Sequence, residues 1–150
     1  MTIWRPPSTI RLKALGLHWR GDGLLAAEVR DDEGRLKGVR PLGGTVEFGE
    51  TAQAAVIREF QEELGIRVAP LGPPVFMENI YTHEGHVGHE ILALFTVAFP
   101  PGAFADAAQI LFQEDDGLTC CARWFPLATL DTPAGPPLFP AGLKARLQAP

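Results

Sequence analysis

Cysteine is nearly missing from this chain: 150 residues contain two, and they are neighbours, Cys120 and Cys121. Adjacent cysteines rarely bridge, and one pair cannot frame a disulfide scaffold. The role expected of them is that of small buried side chains in a strand, which is consistent with a reducing compartment. Long apolar runs are missing too. The longest, Ile91 to Phe99, is too short to cross a membrane and is interrupted by Thr96. The opening stretch, MTIWRPPSTIRLK, lacks the apolar core of a signal peptide. A cytoplasmic location without a membrane partner is the expectation. Basic charge is scarce: 13 Lys and Arg face 18 Asp and Glu, for a net charge of −5. Affinity for a phosphate backbone comes largely from clustered Lys and Arg, so a general nucleic-acid binder is not expected. No internal repeat, low-complexity tract or interdomain linker is visible. At 150 residues and 46% apolar, one domain over 1–150 is the natural reading. A chain of that size buries about two-thirds of its unfolded surface.

The charge that is present is unevenly spread. Residues 1–40 carry eight Lys/Arg against five acids, and residues 41–150 carry five against thirteen. A basic N-terminal segment facing an acidic helix would suit a small polyphosphate; scattered surface charge is the plainer alternative.

What the chain does have is glycine and glutamate in one tight pattern. From Gly44 to Ile66 it reads GTVEFGETAQAAVIREFQEELGI. Gly43-Gly44 and Gly49 make a turn-prone loop. The spacing then predicts a helix from about Thr51 to Leu64, with Gly65 as a left-handed C-cap. At about 100° per residue, Glu59, Glu62 and Glu63 crowd onto one face within a single turn. Val56, Ile57, Phe60 and Leu64 fall on the adjoining face, where they can pack into a core. Ala52 and Ala55, one turn earlier on the carboxylate side, leave room above it. Like charges at this spacing repel by roughly a few tenths of a kcal/mol per pair. A hard divalent cation bound through oxygen is the natural compensation. A solvated acidic helix would explain an isolated Glu-x-x-Glu-Glu, but not the glycines, Arg58 and apolar stripe around it.

The rest of the chain reads as strands. Ile10, Leu12 and Ala14 alternate, then Leu15, Leu17 and Trp19 alternate on the shifted phase, which predicts a strand with a bulge near Ala14. Gly21-Asp22-Gly23 turns the chain into a strand over Leu24–Val29, and Asp31–Gly34 into another through Leu36 and Val39. That strand delivers Arg40 and Pro41 to the glycine turn, and Thr45–Phe48 is a short extended piece. After the helix, Ile66–Ala69 is extended. Val75–Thr82 and Glu90–Phe99 read as strands joined by a loop from His83 to His89. Ala107–Phe112, inside an ambiguous stretch from Ala103 to Gly117, fits strand or short helix. Leu118–Phe125 is a last strand. Pro133, Pro136, Pro137 and Pro140 lead stiffly to a helix at about Ala141–Gln148. Strands on both sides of a central helix, with a second helix at the end, indicate an α/β or α+β sandwich.

The stretch around the helix resembles the signature of the Nudix hydrolase family, G-x5-E-x7-R-E-U-x-E-E-x-G-U, where U is bulky and apolar. Gly44, Glu50, Arg58, Glu59, Glu62, Glu63 and Gly65 fill the seven fixed places, and Phe60 and Ile66 the U places. With residue usage near one in fifteen, chance gives such a match at a given start on the order of 10^-8. Phe60 is bulkier than the usual aliphatic residue, and Leu42 stands where many members have Pro. Neither departure touches a metal-ligand position. The signature spans 23 residues, 44–66. Arg123-Trp124-Phe125-Pro126-Leu127, similar to the closing strand of many members, extends the likeness weakly over most of the chain. The resemblance implies an α/β/α sandwich with a mixed β-sheet and a loop–helix–loop metal site.

It also implies a chemistry: Mg²⁺-dependent hydrolysis, with Mn²⁺ as an alternative, of a pyrophosphate bond in a nucleoside diphosphate linked to another moiety. A nucleoside triphosphate, ADP-ribose, a nucleotide sugar or a dinucleoside polyphosphate would qualify. Carried over by position, Glu59, Glu62 and Glu63 match the metal-binding acids, with Gly44 offering its backbone carbonyl. Arg58 would brace a catalytic carboxylate, and Glu50 would be structural or a water-mediated ligand. Members often add an acid from outside the signature. Glu90 is the candidate catalytic base here, beside Arg58, Glu59 and Glu62, with Glu84 and Glu78 as runners-up. His83, His86 and His89 suit neither one strand face nor a zinc knuckle and read as polar loop residues. Trp19, Phe76, Tyr81 and Trp124 could stack a base, although aromatics in strands usually belong to cores. The expected partner is a small-molecule nucleotide, and a homodimer is left open. The alternatives are a non-catalytic Nudix-fold nucleotide-binding or regulatory module and, more remotely, an isoprenoid diphosphate isomerase. Modules of the former kind commonly lose signature acids that this chain keeps, and the small size counts against the latter.

Overall fold

A computed structural model describes residues 3–114 and 116–149. Met1, Thr2, Asp115 and Pro150, which the single-domain reading also takes in, lie outside the described residues. β1 (Ile10–Leu17), β2 (Trp19–Arg20), β3 (Gly23–Arg30), β4 (Leu36–Arg40) and β5 (Leu42–Thr45) precede helix α1 (Ala52–Leu64). β6 (Ala69–Pro70), β7 (Val75–His83), β8 (His86–Ala98), β9 (Gln109–Gln113) and β10 (Thr119–Pro126) follow. A 3-10 turn (Leu127–Thr129) and α2 (Leu143–Gln148) come last.

The strands form two sheets of five. In the first, β1 pairs antiparallel with β5 and parallel with β8, and β7 and β6 share the far edge of β8. The second is antiparallel, β2-β3-β10-β9, with β4 also paired to β3.

Ala14–Leu17 of β1 and Leu92–Phe95 of β8 are buried on both faces, which explains their dense apolar content. Ala14, Ala93 and Phe95 face α1 in one core with Val56, Phe60, Ile110 and Ala122. Leu15, Leu17, Leu92 and Leu94 face a second core with Leu24, Val39, Leu138 and the first residue of α2, Leu143. The mixed sheet is thus sandwiched between α1 and α2, the expected α/β/α arrangement.

Local departures from the sequence reading have clear causes. β1 keeps unbroken register with β8 from Ile10↔His89 to Leu17↔Thr96, so there is no bulge at Ala14. The apolar phase changes because Ile10 and Leu12 are exposed whereas Leu15 and Leu17 enter the second core. The expected loop over His83–His89 is mostly strand. β7 and β8 pair as far as His83↔His86, and the hairpin turns on Glu84 and Gly85, both at positive φ. Residues 109–113 are strand, and α2 begins at Leu143 rather than Ala141. Cys120 and Cys121 are half-buried free thiols on β10. Burial pushes the Cys120 thiol up to about 12. Among the described residues no helix is long and apolar enough to cross a membrane.

Candidate active site

α1 starts and stops on its own chemistry. The Thr51 hydroxyl accepts from the Ala54 amide at 3.0 Å, and Gly65 closes the helix at φ +70°. Ala55, Val56 and Phe60 bury one stripe. A Cβ on Gly16 would overlap the Phe60 ring, so the helix seats directly on the backbone of β1. This docking turns the acidic face toward the glycine strand β5.

Arg58 organises that face. Its Nε and Nη2 donate to the two carboxylate oxygens of Glu50 at 2.7 and 2.9 Å. Nη1 donates to Glu59 at 3.0 Å and reaches Glu62 at 3.3 Å, while Nη2 also bonds the Thr45 carbonyl at 3.1 Å. One guanidinium therefore ties the end of β5, the end of the loop and the helix face together. The Glu50 carboxylate accepts from the Glu47 amide as well. Arg58 first and this amide second hold the Glu50 carboxyl down to about 2. Glu50 in turn raises the Arg58 guanidinium above its ordinary range.

Glu59 is 7% exposed, a buried carboxylate on a helix otherwise packed through apolar groups. Gly44 lies against it: a Cβ there would overlap the Glu59 carboxylate. Gly43 sits at φ +150°, and a Cβ on it would strike the Ala14 backbone. Glu62 is exposed, and Glu63, one turn beyond Glu59, is half-buried. Of the residues expected to hold a metal, Gly44 lies against Glu59, and Arg58 bridges Glu59 to Glu62. All offer hard oxygen donors, and the bare Gly44 leaves Glu59 its room, so the set fits Mg²⁺ or Mn²⁺.

Glu90 lies elsewhere. It is the fifth residue of β8, 8% exposed, on the sheet face that continues into Leu92 and Leu94, opposite α1. Its carboxylate accepts from Asn79 Nδ2 at 3.1 Å and from Arg11 at 3.4 Å, with Lys13 Nζ at 4.0 Å. The runners-up are less anchored. Glu78 is exposed on the other face, and Glu84 sits at the hairpin tip at φ +50°.

Around Glu90 is a charged cluster that sequence alone did not assemble. Arg11 and Lys13 enter it from β1, and Arg40 enters from β4, paired to Glu114 at 3.2 Å. Arg11 also donates to the Tyr81 hydroxyl at 3.0 Å. Burial, reinforced by Arg40 and Arg11 and opposed by Glu90, pushes the Lys13 ammonium down to about 8. A signal was present: Arg11 and Lys13 alternate with apolar residues, so they share one strand face.

His83, His86 and His89 do not converge on one point. His83 lies 3.0 Å from Lys37 Nζ, and the His86 ring bonds the Glu84 carbonyl. Asp32, His83 and Glu84 do bring ligand atoms within 4.8 Å of one another. Arg5 already engages both Asp32 oxygens, at 3.0 and 2.6 Å, and Lys37 faces His83, so cations are in place there. Of the aromatics, Tyr81 joins the charged cluster, Phe76 is exposed, and Trp19 and Trp124 are half-buried. Trp124 donates to His18 Nδ1 at 3.0 Å beneath the Arg20 guanidinium.

A mixed sheet between two helices, one of them capped, acidic and braced by a single arginine, defines an α/β protein built around one oxygen-rich helix. Comparison with known families and structures makes the class specific. The NUDIX domain family model matches residues 11–143. The fold is similar to the E. coli ORF135 protein, at 22% identity, TM-score 0.59, covering 89% of this chain and 84% of that one. It is similar too to a MutT NUDIX hydrolase from Burkholderia pseudomallei, at 21% identity, TM-score 0.58, covering 95% and 100%. No protein among curated sequences matches the chain. The chain belongs to the Nudix family of hydrolases.

Proposed function

We propose that this protein hydrolyses a pyrophosphate bond in a nucleoside diphosphate linked to another moiety, using Mg²⁺ or Mn²⁺ held on α1. The observation that carries the reading is the Arg58 constellation. One guanidinium fixes Glu50, Glu59 and Glu62 beside a strand whose Gly44 leaves room for the Glu59 carboxylate.

In this reading Glu59, Glu62 and Glu63, with the Gly44 carbonyl, would hold the cation. When bound, the cation neutralises phosphate oxygens and makes phosphorus accessible to water. Arg58 keeps the Glu59 carboxylate aimed, so the donor set needs no rearrangement when substrate arrives. Carboxylates of the signature that would hold the cation are poor proton acceptors, so one outside them is better placed for that role. Glu90 is the acid proposed for that step; because it lies on the sheet face opposite α1, the role requires the attacking water to sit at the β5 edge, where the two faces meet. Unlike Glu78 and Glu84 it is buried and anchored, by Asn79 and Arg11.

The test is a hydrolysis screen over nucleoside triphosphates, ADP-ribose, nucleotide sugars and dinucleoside polyphosphates, with Mg²⁺ and with excess EDTA. Turnover of at least one substrate, abolished by chelator, is expected; full turnover in EDTA would sink the metal reading. On the best substrate, Glu90→Gln is expected to lower kcat at least about a hundredfold with KM within a few-fold. An unaltered kcat would move the proton acceptor to Glu84, Glu78 or a glutamate of the signature.

A further inference from the structure

The charged cluster around Arg11 holds more charge than hydrolysis uses, and its ion pairs are slack. Arg11 and Lys13 stand 3.4 and 4.0 Å from Glu90, whereas Arg58 stands 2.7 Å from Glu50. Charge-assisted N–H···O bonds ordinarily run about 2.7–2.9 Å. Arg11 also has a buried Nε with no hydrogen-bond partner among the described residues. A buried donor in that condition is costly unless an acceptor meets it.

Over this floor lies a segment outside the stretch that matches the family, which begins at Arg11. The Trp4 ring lies 5.5 Å from the Arg11 guanidinium and 5.5 Å from the His83 ring, and Trp4 remains 46% exposed. The neighbouring Arg5 fastens the segment. It donates to both oxygens of Asp32, in the turn between β3 and β4, at 3.0 and 2.6 Å. An exposed aromatic beside fixed polar groups can take a planar ligand, stacking on its face while hydrogen bonds engage its edge.

The charged cluster and the acidic face lie on either side of β5. Lys13 pairs in register with Thr45, whose carbonyl Arg58 bonds from the other side. β5 is an edge strand of its sheet. A nucleotide with its phosphates at α1 could therefore pass around this edge and lay its other end under Trp4.

We propose that residues 3–9 form a strap that closes on the base of the nucleotide substrate, Trp4 stacking on its face and Arg11 donating to its edge. The Arg5–Asp32 pair is the latch. The inference rests on the hydrolytic reading only for the position of the phosphates.

Two measurements test it. The first is hydrogen exchange of the wild-type protein in Mg²⁺, with nucleotides made non-hydrolysable by imido bridges in place of both phosphoanhydride oxygens. The ligands are these analogues of ATP, GTP, CTP or UTP at millimolar concentration, with inorganic tripolyphosphate as a base-free control. At least one nucleotide should slow exchange in residues 3–9 several-fold, and tripolyphosphate should not. The second is the kinetics of Trp4→Ala on the best substrate, where KM should rise at least about fivefold with kcat within about twofold. The proposal is overturned by exchange that no nucleotide changes, by equal slowing with tripolyphosphate, or by an unchanged KM. A wild-type protein that turns over nothing sinks the hydrolytic reading instead, and the exchange experiment still decides the strap.

Discussion

Glu50 and Arg58 carry the site's electrostatics between them. The Arg58 pair, helped by the Glu47 amide, brings the Glu50 carboxyl from an ordinary 4.5 down to about 2. A folded-state value below the unfolded one means the unfolded chain binds the proton first as pH falls. The stabilisation is therefore complete above about 4.5 and drains away toward 2. Thermal melts across that window should show Glu50→Gln losing less stability on acidification than the wild type. Parallel curves would mean that Arg58 does not hold the carboxylate as described. Gly44 makes the complementary point: its importance lies in the Cβ it lacks, since the Glu59 carboxylate occupies that space.

The central element, α1, divides its faces between packing and chemistry. Phe60 is fully buried against the backbone of β1, so Phe60→Ala should cost about 3–5 kcal/mol, measured by chemical denaturation. A loss under about 1 kcal/mol would show that the helix does not seat through this ring. The element was legible in sequence because its determinants are local: the Thr51 cap, Gly65, and the three- and four-residue spacing of Phe60 and the glutamates. The hairpin of β7 and β8 was not. Histidines and glycines between 83 and 89 resemble a loop, and only pairing with β1 and β7 makes most of them strand. Likewise Glu90 was visible as an acid at the start of an apolar run. Its partners Arg11 and Asn79 come from two other strands.

At the scale of the whole molecule, two cores on opposite faces of the mixed sheet hold the fold together without the acidic helix face. Treatment with EDTA should therefore abolish turnover while circular dichroism and cooperative melting persist. Loss of the folded signal in EDTA would instead make the cation structural. The cations of the N-terminal forty residues take an unexpected place. Arg11, Lys13 and Arg40 do not face the acidic helix; they gather on the opposite sheet face with Glu90 and Glu114. Charge counting along the sequence registers the imbalance but not the face, because β1 divides its side chains between two sides of one sheet.

The claim on which the rest depends is that Glu59, Glu62 and Glu63 form the cation site. Mn²⁺ binding, measured by calorimetry on the wild type and on the folded Glu59→Gln, Glu62→Gln and Glu63→Gln variants, tests it directly. The account predicts that the wild type binds Mn²⁺ and that each substitution weakens binding at least about tenfold, since each removes a charged ligand. Undiminished Mn²⁺ affinity in all three variants would contradict it.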